Sequence, residues 1–223
     1  MDDARSAPLP ANSHIDHPQG RRVLANEVRR LVRATRTNAV DQETRGRAVA
    51  LLQEAAALLE QEETPGPFWQ TGRTSFDGFR ISADALTIFP FSPAMGPLNP
   101  VAPVVELEVD DDKVVHGFVT FTEPYNGPPF DTAHGGIIAL VYDDLVGMAA
   151  MVGAGGGMTA NLSIDYRKPT PMFRRIELTA SLERYEGRKF WAHGEMRLDG
   201  ELLNEANGLF IRPKGLPPLV STG

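Results

Sequence analysis

The fold of this chain turns on one stretch, His134-Gly135-Gly136-Ile137-Ile138-Ala139-Leu140-Val141-Tyr142-Asp143-Asp144. It opens as a glycine-bearing turn and runs into an apolar, alanine-rich segment ending near Val152. With no Cβ on either glycine, the backbone can approach a ligand closely. A helix starting there leaves its first N–H groups without intrahelical partners, at the positive end of the helix dipole. Such an end binds anions and can equally stabilise the oxyanion of an ester or thioester under attack. An ordinary turn leading into a core helix looks the same, so the turn alone leaves both readings open.

Outward from this stretch the pattern is strand-like on both sides. Residues 104–109 and 113–122 read as two strands joined across Asp110-Asp111-Asp112. Residues 123–133, with Asn126-Gly127-Pro128-Pro129, read as an irregular loop. The helix is expected over residues 136–152, ended by Gly153 and Gly155-Gly156-Gly157. Four further strand patterns follow at 158–166, 176–182, 190–198 and 203–211, the last two flanking the hairpin signal Asp199-Gly200. One helix cannot cover six strands unless the sheet curls around it. The expected class is therefore α+β, a hotdog fold: a curled antiparallel sheet of about six strands around one long helix, with an N-terminal helical extension.

That extension is organised in three parts. Residues 1–19 read as a flexible tail, in which His14 and His17 are poor candidates for a metal because no further ligand is nearby. Residues 20–63 read as a helical hairpin turning near Asn38-Ala39-Val40-Asp41. Leu24, Val28, Leu31 and Val32 line one face of its first helix, with Arg22, Arg29, Arg33 and Arg36 on another. Val49, Leu52, Ala55, Ala56 and Leu59 form the stripe of the second. The arginine face suits an acidic partner, a membrane surface, or simply nearby glutamates. Residues 64–99 form a proline-rich segment expected to cover a surface, and residues 100–214 form the hotdog domain, followed by a tail at 215–223.

Bulk properties narrow the function. With 223 residues, 42% hydrophobic content and a formal charge of −7, the chain can build a real core and lacks the basic footprint of a nucleic-acid binder. Zero cysteines exclude disulfides, thiolate catalysis and Cys-ligated metals. By this reading no run approaches the ~20 apolar residues of a membrane span. The start Met1-Asp2-Asp3-Ala4-Arg5 lacks a secretory pattern, and a cytoplasmic location is the expectation.

The chain resembles the acyl-CoA thioesterases of the PaaI type within the hotdog superfamily, in particular an actinobacterial branch and the mammalian thioesterase superfamily members four and five. The resemblance is carried by Asn126-Gly127-Pro128-Pro129, His134-Gly135-Gly136, Asp143 nine positions after His134, and Val146-Gly147-Met148. It continues through Met158-Thr159-Ala160-Asn161-Leu162, Tyr166-Arg167-Lys168-Pro169 and Gly187-Arg188-Lys189. The loop from Gly127 to His134 is one residue longer than the usual form. The resemblance implies hydrolysis of an acyl-CoA without metal or cofactor. It implies Asp143 as acidic catalyst, Thr159 as its polar assistant, the Gly136 amide as oxyanion hole, and His134 beside the thioester. Gly135, Arg167, Lys168, Arg188 and Lys189 then fall where relatives contact CoA.

Helical geometry adds a constraint of its own. Asp143 lies seven residues beyond Gly136, roughly 10 Å along a helix axis. A base or nucleophile must stand about 3 Å from the reacting atom. A second copy of the helix would bring its Asp143 to the first chain's turn. Gly136, Ala139, Asp143, Gly147 and Ala150 form one stripe, mostly small, on which two helices could meet. A homodimer is therefore expected, with a dimer of dimers as a further possibility. Asp144 is rotated about 100° from that stripe and reads as a solvent-facing or capping acid.

Two other functions compete. An enoyl-CoA hydratase of the same fold would use an acid and a histidine such as Asp111 and His116, without the intervening Asn-Pro of that dyad. A non-catalytic acyl-CoA-binding scaffold would rely on the N-terminal helices instead.

Overall fold

The computed structural model describes residues 18–61, 90–128 and 131–215. The tail histidines His14 and His17, residues 62–89 with most of the proline-rich segment, and the C-terminal tail beyond 215 lie outside the described residues. Two helices, α1 (Pro18–Thr37) and α2 (Gln42–Leu59), precede strands β1 (Val104–Val109) and β2 (Val115–Thr120). A 3-10 turn at Glu123–Tyr125 and a two-residue pairing of β3 (Asn126–Gly127) with β4 (Thr132–Ala133) follow. Within the expected loop, Asn126 and Gly127 form a short ladder because they find partners in Ala133 and Thr132.

Helix α3 (Gly135–Ala154) comes next, then β5 (Met158–Tyr166), β6 (Arg175–Glu186), β7 (Lys189–Leu198) and β8 (Glu201–Ile211). Six strands form one antiparallel sheet in the order β1-β2-β6-β7-β8-β5. The sheet curls around α3, which packs on β6, β7, β8 and β5. Strand alternation sets the inner face: Phe190, Ala192, Gly194 and Met196 of β7 are buried while their neighbours are not.

Small residues make the close approach possible. Ala192 pairs with Gly208, and Gly194 with Ala206, giving a shallow floor across β7 and β8. A Cβ on Gly194 or Gly208 would stand 2.9 Å from a methyl of Val146 on α3. Around this floor pack Tyr142, Leu145, Met148, Ile176, Leu178, Phe190, Met196 and Phe210, all essentially sealed from water.

The turns follow their chemistry. Asp199 and Gly200 both take positive φ, 51° and 80°, as a tight hairpin of β7 and β8 requires. Gly155 ends α3 in the left-handed region at φ 79°. Gly153, expected to stop the helix, lies inside it; a Cβ there would come within 2.6 Å of Leu182 Cβ, so the glycine lets the helix rest on β6.

α3 is long and apolar enough to cross a membrane by length and mean hydropathy, which corrects the expectation that no segment approaches that limit. Its apolar character serves the sheet that encloses it, since half of the segment is buried.

The two N-terminal helices are separated at residues 38–41, and α2 buries no side chain. On α1, Ala25 is buried, Leu24 and Leu31 are exposed, and the arginine face makes the contacts. The Arg29 guanidinium donates to the carbonyls of Gly96, Pro97, Asn99 and Ala102. Arg33 grips the Glu123 carboxylate through two bonds of 2.7 and 2.9 Å. The loop at 90–102 is part of the core, with Ala94 and Met95 buried in it, so the chain joins the domain ahead of the expected boundary near Asn99-Pro100.

Candidate active site

His134 caps α3. Its Nδ1 accepts the Gly136 N–H at 3.0 Å, satisfying one of the donors that a helix start leaves open. Gly136, expected as the oxyanion donor, therefore already has an acceptor. Among the described residues, the Gly135 N–H has none. Gly136 also makes room for the ring: a Cβ there would lie 3.2 Å from His134 Nδ1.

Asp143 and Thr159 come together as expected. The Thr159 hydroxyl donates to Asp143 Oδ1 at 2.9 Å, bridging α3 and the start of β5. At the far end of β5 the Tyr166 hydroxyl donates to the Gly135 carbonyl at 2.8 Å. α3 and β5 thus run back against each other, with the acid at one end and the glycine turn at the other. Simple strand alternation would put Thr159 and Asn161 on one face, but the register with β8 shifts between them. An unpaired residue in a bulge turns the following side chains relative to the preceding ones.

Asp144 is not a solvent-facing acid. It is partly buried and accepts the Ser92 hydroxyl, while Ser92 also receives the Ala94 N–H at 3.0 Å. Burial raises its carboxyl to about 6 despite that bond. Nothing in the residue pattern ties Ser92 to Asp144, since 52 positions separate them.

The basic residues do not converge within one chain. Arg167 is paired with Glu205 and Lys168 with Glu201, near the β5 end that faces Asn204. Lys189 pairs in register with Ile211, and Arg188 donates to the Arg212 carbonyl. Asn204 and Ile211 are seven residues apart on β8, roughly 23 Å along a strand.

The stripe proposed for helix contact is half open. Gly136 is exposed, and Ala139, Asp143 and Gly147 are partly so. Ala150 is buried under its own subunit and leaves the stripe. β5 is an edge strand, and most of its side chains are exposed.

Among the described residues, His193, Glu195 and Glu205 lie close enough to share a metal ion. They sit on β7 and β8, and Arg197 and Arg167 already bind the two carboxylates. Of the residues a hydratase would use, His116 Nε2 contacts Asp110 Oδ2 at 2.7 Å rather than Asp111, where β2 leaves the β1–β2 turn.

The thioesterase superfamily model matches residues 130–204, which span the turn, Asp143, β5 and the basic residues up to Arg188 and Lys189. A solved crystal structure of a thioesterase superfamily protein superimposes with a TM-score of 0.70 and 33% identity, covering 86% of this chain and 94% of that one. The chain belongs to the thioesterase superfamily. Its hotdog fold agrees with the one expected from the strand order. Among curated relatives, the acyl-coenzyme A thioesterase THEM4 of Xenopus laevis is 41% identical over 92 residues, 40% of this chain and 41% of the relative. The Rattus norvegicus THEM4 is 40% identical over 81 residues, 35% of each chain. The chain thus spans well under half the length of the curated relatives it matches.

Proposed function

We propose that this superfamily member hydrolyses the thioester of an acyl-CoA to free acid and CoA. The observation that carries the reading is the Asp143 carboxylate, bonded by Thr159 of β5, on the same helix as a glycine turn whose Gly135 amide has no acceptor among the described residues. Curated thioesterases of acyl-coenzyme A share this part of the sequence, which supports the substrate class.

Asp143 activates water as a base, or attacks the carbonyl itself to give a mixed anhydride that water then opens. Thr159 fixes the orientation of its carboxylate. Charge developing on the carbonyl oxygen is taken by the helix start. There the Gly135 N–H is better suited than the Gly136 N–H, which an oxyanion would have to win from His134. The C–S bond breaks and CoA leaves as a thiolate that takes up a proton.

The site is shared between two subunits in this reading. Gly135 and Asp143 are eight residues apart on α3, about 12 Å. A two-fold axis near Ala139 and the middle of β5 would lay each α3 and β5 antiparallel to its copy. That single operation brings the partner's Asp143 end to this chain's Gly135 end. It also brings Arg188 and Lys189 of one subunit toward Arg167 and Lys168 of the other, which suits the CoA phosphates. The open edge of β5 supplies unpaired backbone groups for the contact. Pairing of such dimers into tetramers is compatible with it.

The test is release of free thiol from a panel of acyl-CoAs by wild type and by Asp143→Asn. No turnover with tight binding retained would favour a scaffold; water addition to crotonyl-CoA without thiol release would favour a hydratase. Mixing inactive Asp143→Asn and Gly135→Pro chains tests the sharing. Random pairing restores roughly a quarter of wild-type activity if each site draws on both subunits, and none if it does not.

A further inference from the structure

We propose that Tyr166 is a positioning residue that fixes the tautomer of His134, so that His134 presents Nε2–H to the thioester as a hydrogen-bond donor. The inference rests on the thioesterase reading and adds to it a residue and a direction of hydrogen bonding.

The chain of contacts is continuous. The Tyr166 hydroxyl donates to the Gly135 carbonyl at 2.8 Å. That carbonyl belongs to the peptide whose N–H is on Gly136, and this N–H donates to His134 Nδ1 at 3.0 Å. A bond accepted at the carbonyl polarises the amide and strengthens its N–H as a donor. A backbone N–H is always a donor, unlike the ambiguous partners that usually surround a histidine. Nδ1 therefore carries the lone pair and the ring proton sits on Nε2. In this state His134 cannot act as a base through Nδ1; it can only offer its other N–H.

The turn needs outside support to hold this geometry. Two consecutive glycines have wide backbone freedom, so the peptide between them is not fixed by its own sterics. The Tyr166 ring lies over Gly135, with ring atoms 3.6 Å from where a Cβ would be. Partial burial moves the Tyr166 phenol upward from its ordinary value, which keeps the hydroxyl protonated as a donor. Tyr166 is otherwise 51% exposed, so loss of its hydroxyl has little to disturb in the core.

The experiment uses the full chain labelled with 15N, in wild type and Tyr166→Phe. Long-range imidazole correlations, with His134 assigned from a His134→Gln spectrum, read the tautomer directly. Steady-state kinetics use the acyl-CoA that wild type turns over fastest. The expected result is a pure Nε2–H tautomer in wild type and a mixture in Tyr166→Phe. With it, kcat falls about three- to tenfold, the scale of one lost hydrogen bond, while KM stays within about twofold. An Nδ1–H tautomer in wild type, or an unchanged tautomer and kcat in Tyr166→Phe, overturns the proposal. If wild type hydrolyses no acyl-CoA, the thioesterase reading fails on its own, and the spectra still decide what Tyr166 does to His134.

Discussion

Two carboxylates stand side by side on α3 and face opposite tasks. Asp143 lies on the open flank of the helix, held by Thr159 from the edge strand β5. Asp144 lies on the covered flank, under the loop at 90–102, held by Ser92. The 100° step between consecutive helical residues separates them. One flank is left unfinished, with small residues, a partly exposed acid and an amide that has no acceptor among the described residues. The other is closed by a loop that α1 clamps through Arg29. On the proposed reading, chemistry is kept on the side where packing is incomplete, and packing is completed where no chemistry is placed.

The largest effect expected of this division is on turnover. Asp143→Asn keeps the size of the side chain and removes its basicity, so kcat should fall by about 10²–10⁴-fold, the range for loss of a general base. The melting temperature should stay within a degree or two, because no core contact is lost. A variant that loses activity only in step with its stability would place Asp143 on the structural side and break the comparison.

On the covered flank the expected effect is on stability. Arg29 serves four carbonyls at once, a geometry a planar guanidinium provides and an ammonium does not. Burial also lowers its pKa, the mark of a cation taken partly out of water. Arg29→Ala should cost about 2–3 kcal/mol in urea unfolding, with Arg29→Lys recovering little of it. An exposed arginine would cost about 0.5 kcal/mol or less, and that result would mean α1 merely rests on the loop.

Much of this arrangement was legible in the residues. The alternation of β7 and the Asp199-Gly200 turn gave the strand order, because both express local backbone preferences. His134, Asp143 and Thr159 drew notice through the family resemblance, with the helical stripe separating Asp143 from Asp144, and the structure brings Asp143 and Thr159 into contact where β5 runs back along α3. What was not legible depends on contacts between segments far apart in the chain. The link between Ser92 and Asp144, the clamp of Arg29 on residues 96–102, and the hydroxyl of Tyr166 on Gly135 have no period to announce them. The occupied Gly136 amide was missed for another reason: a histidine before two glycines can cap a helix with its own ring, and residue type alone does not reveal its rotamer.

The covered carboxylate also makes a pH prediction. Burial raises Asp144 from 3.8 to about 6, so between those values the folded chain binds more protons than the unfolded one. Stability from this group is full below its unfolded pKa and is lost as pH rises through about 6. Asp144→Asn should therefore stabilise the chain at pH 7.5, by about 1–2 kcal/mol after the altered Ser92 bond is discounted, and do little near pH 4. A variant less stable at pH 7.5 than wild type would show that the bond from Ser92 to the ionised carboxylate outweighs the cost of burying it.

The smallest effect is expected on α2, and it sharpens the contrast by its size. α2 has a sound start, with the Asp41 carboxylate accepting the Thr44 N–H at 2.8 Å, and an apolar stripe that reads as a buried face. Yet Leu52 is 39% exposed and no side chain of the helix is buried. Local sequence builds this helix; among the described residues, no burial against the domain holds it. Leu52→Ser should then change unfolding by less than about 0.5 kcal/mol in the isolated chain, against the 2–5 kcal/mol of a truncated core leucine. Leu145→Ala on α3, in the sealed core, provides the matching control. If Leu52→Ser costs as much as Leu145→Ala, α2 is packed against something in solution, and the boundary between finished and unfinished surfaces lies further toward the N-terminus than the single chain displays.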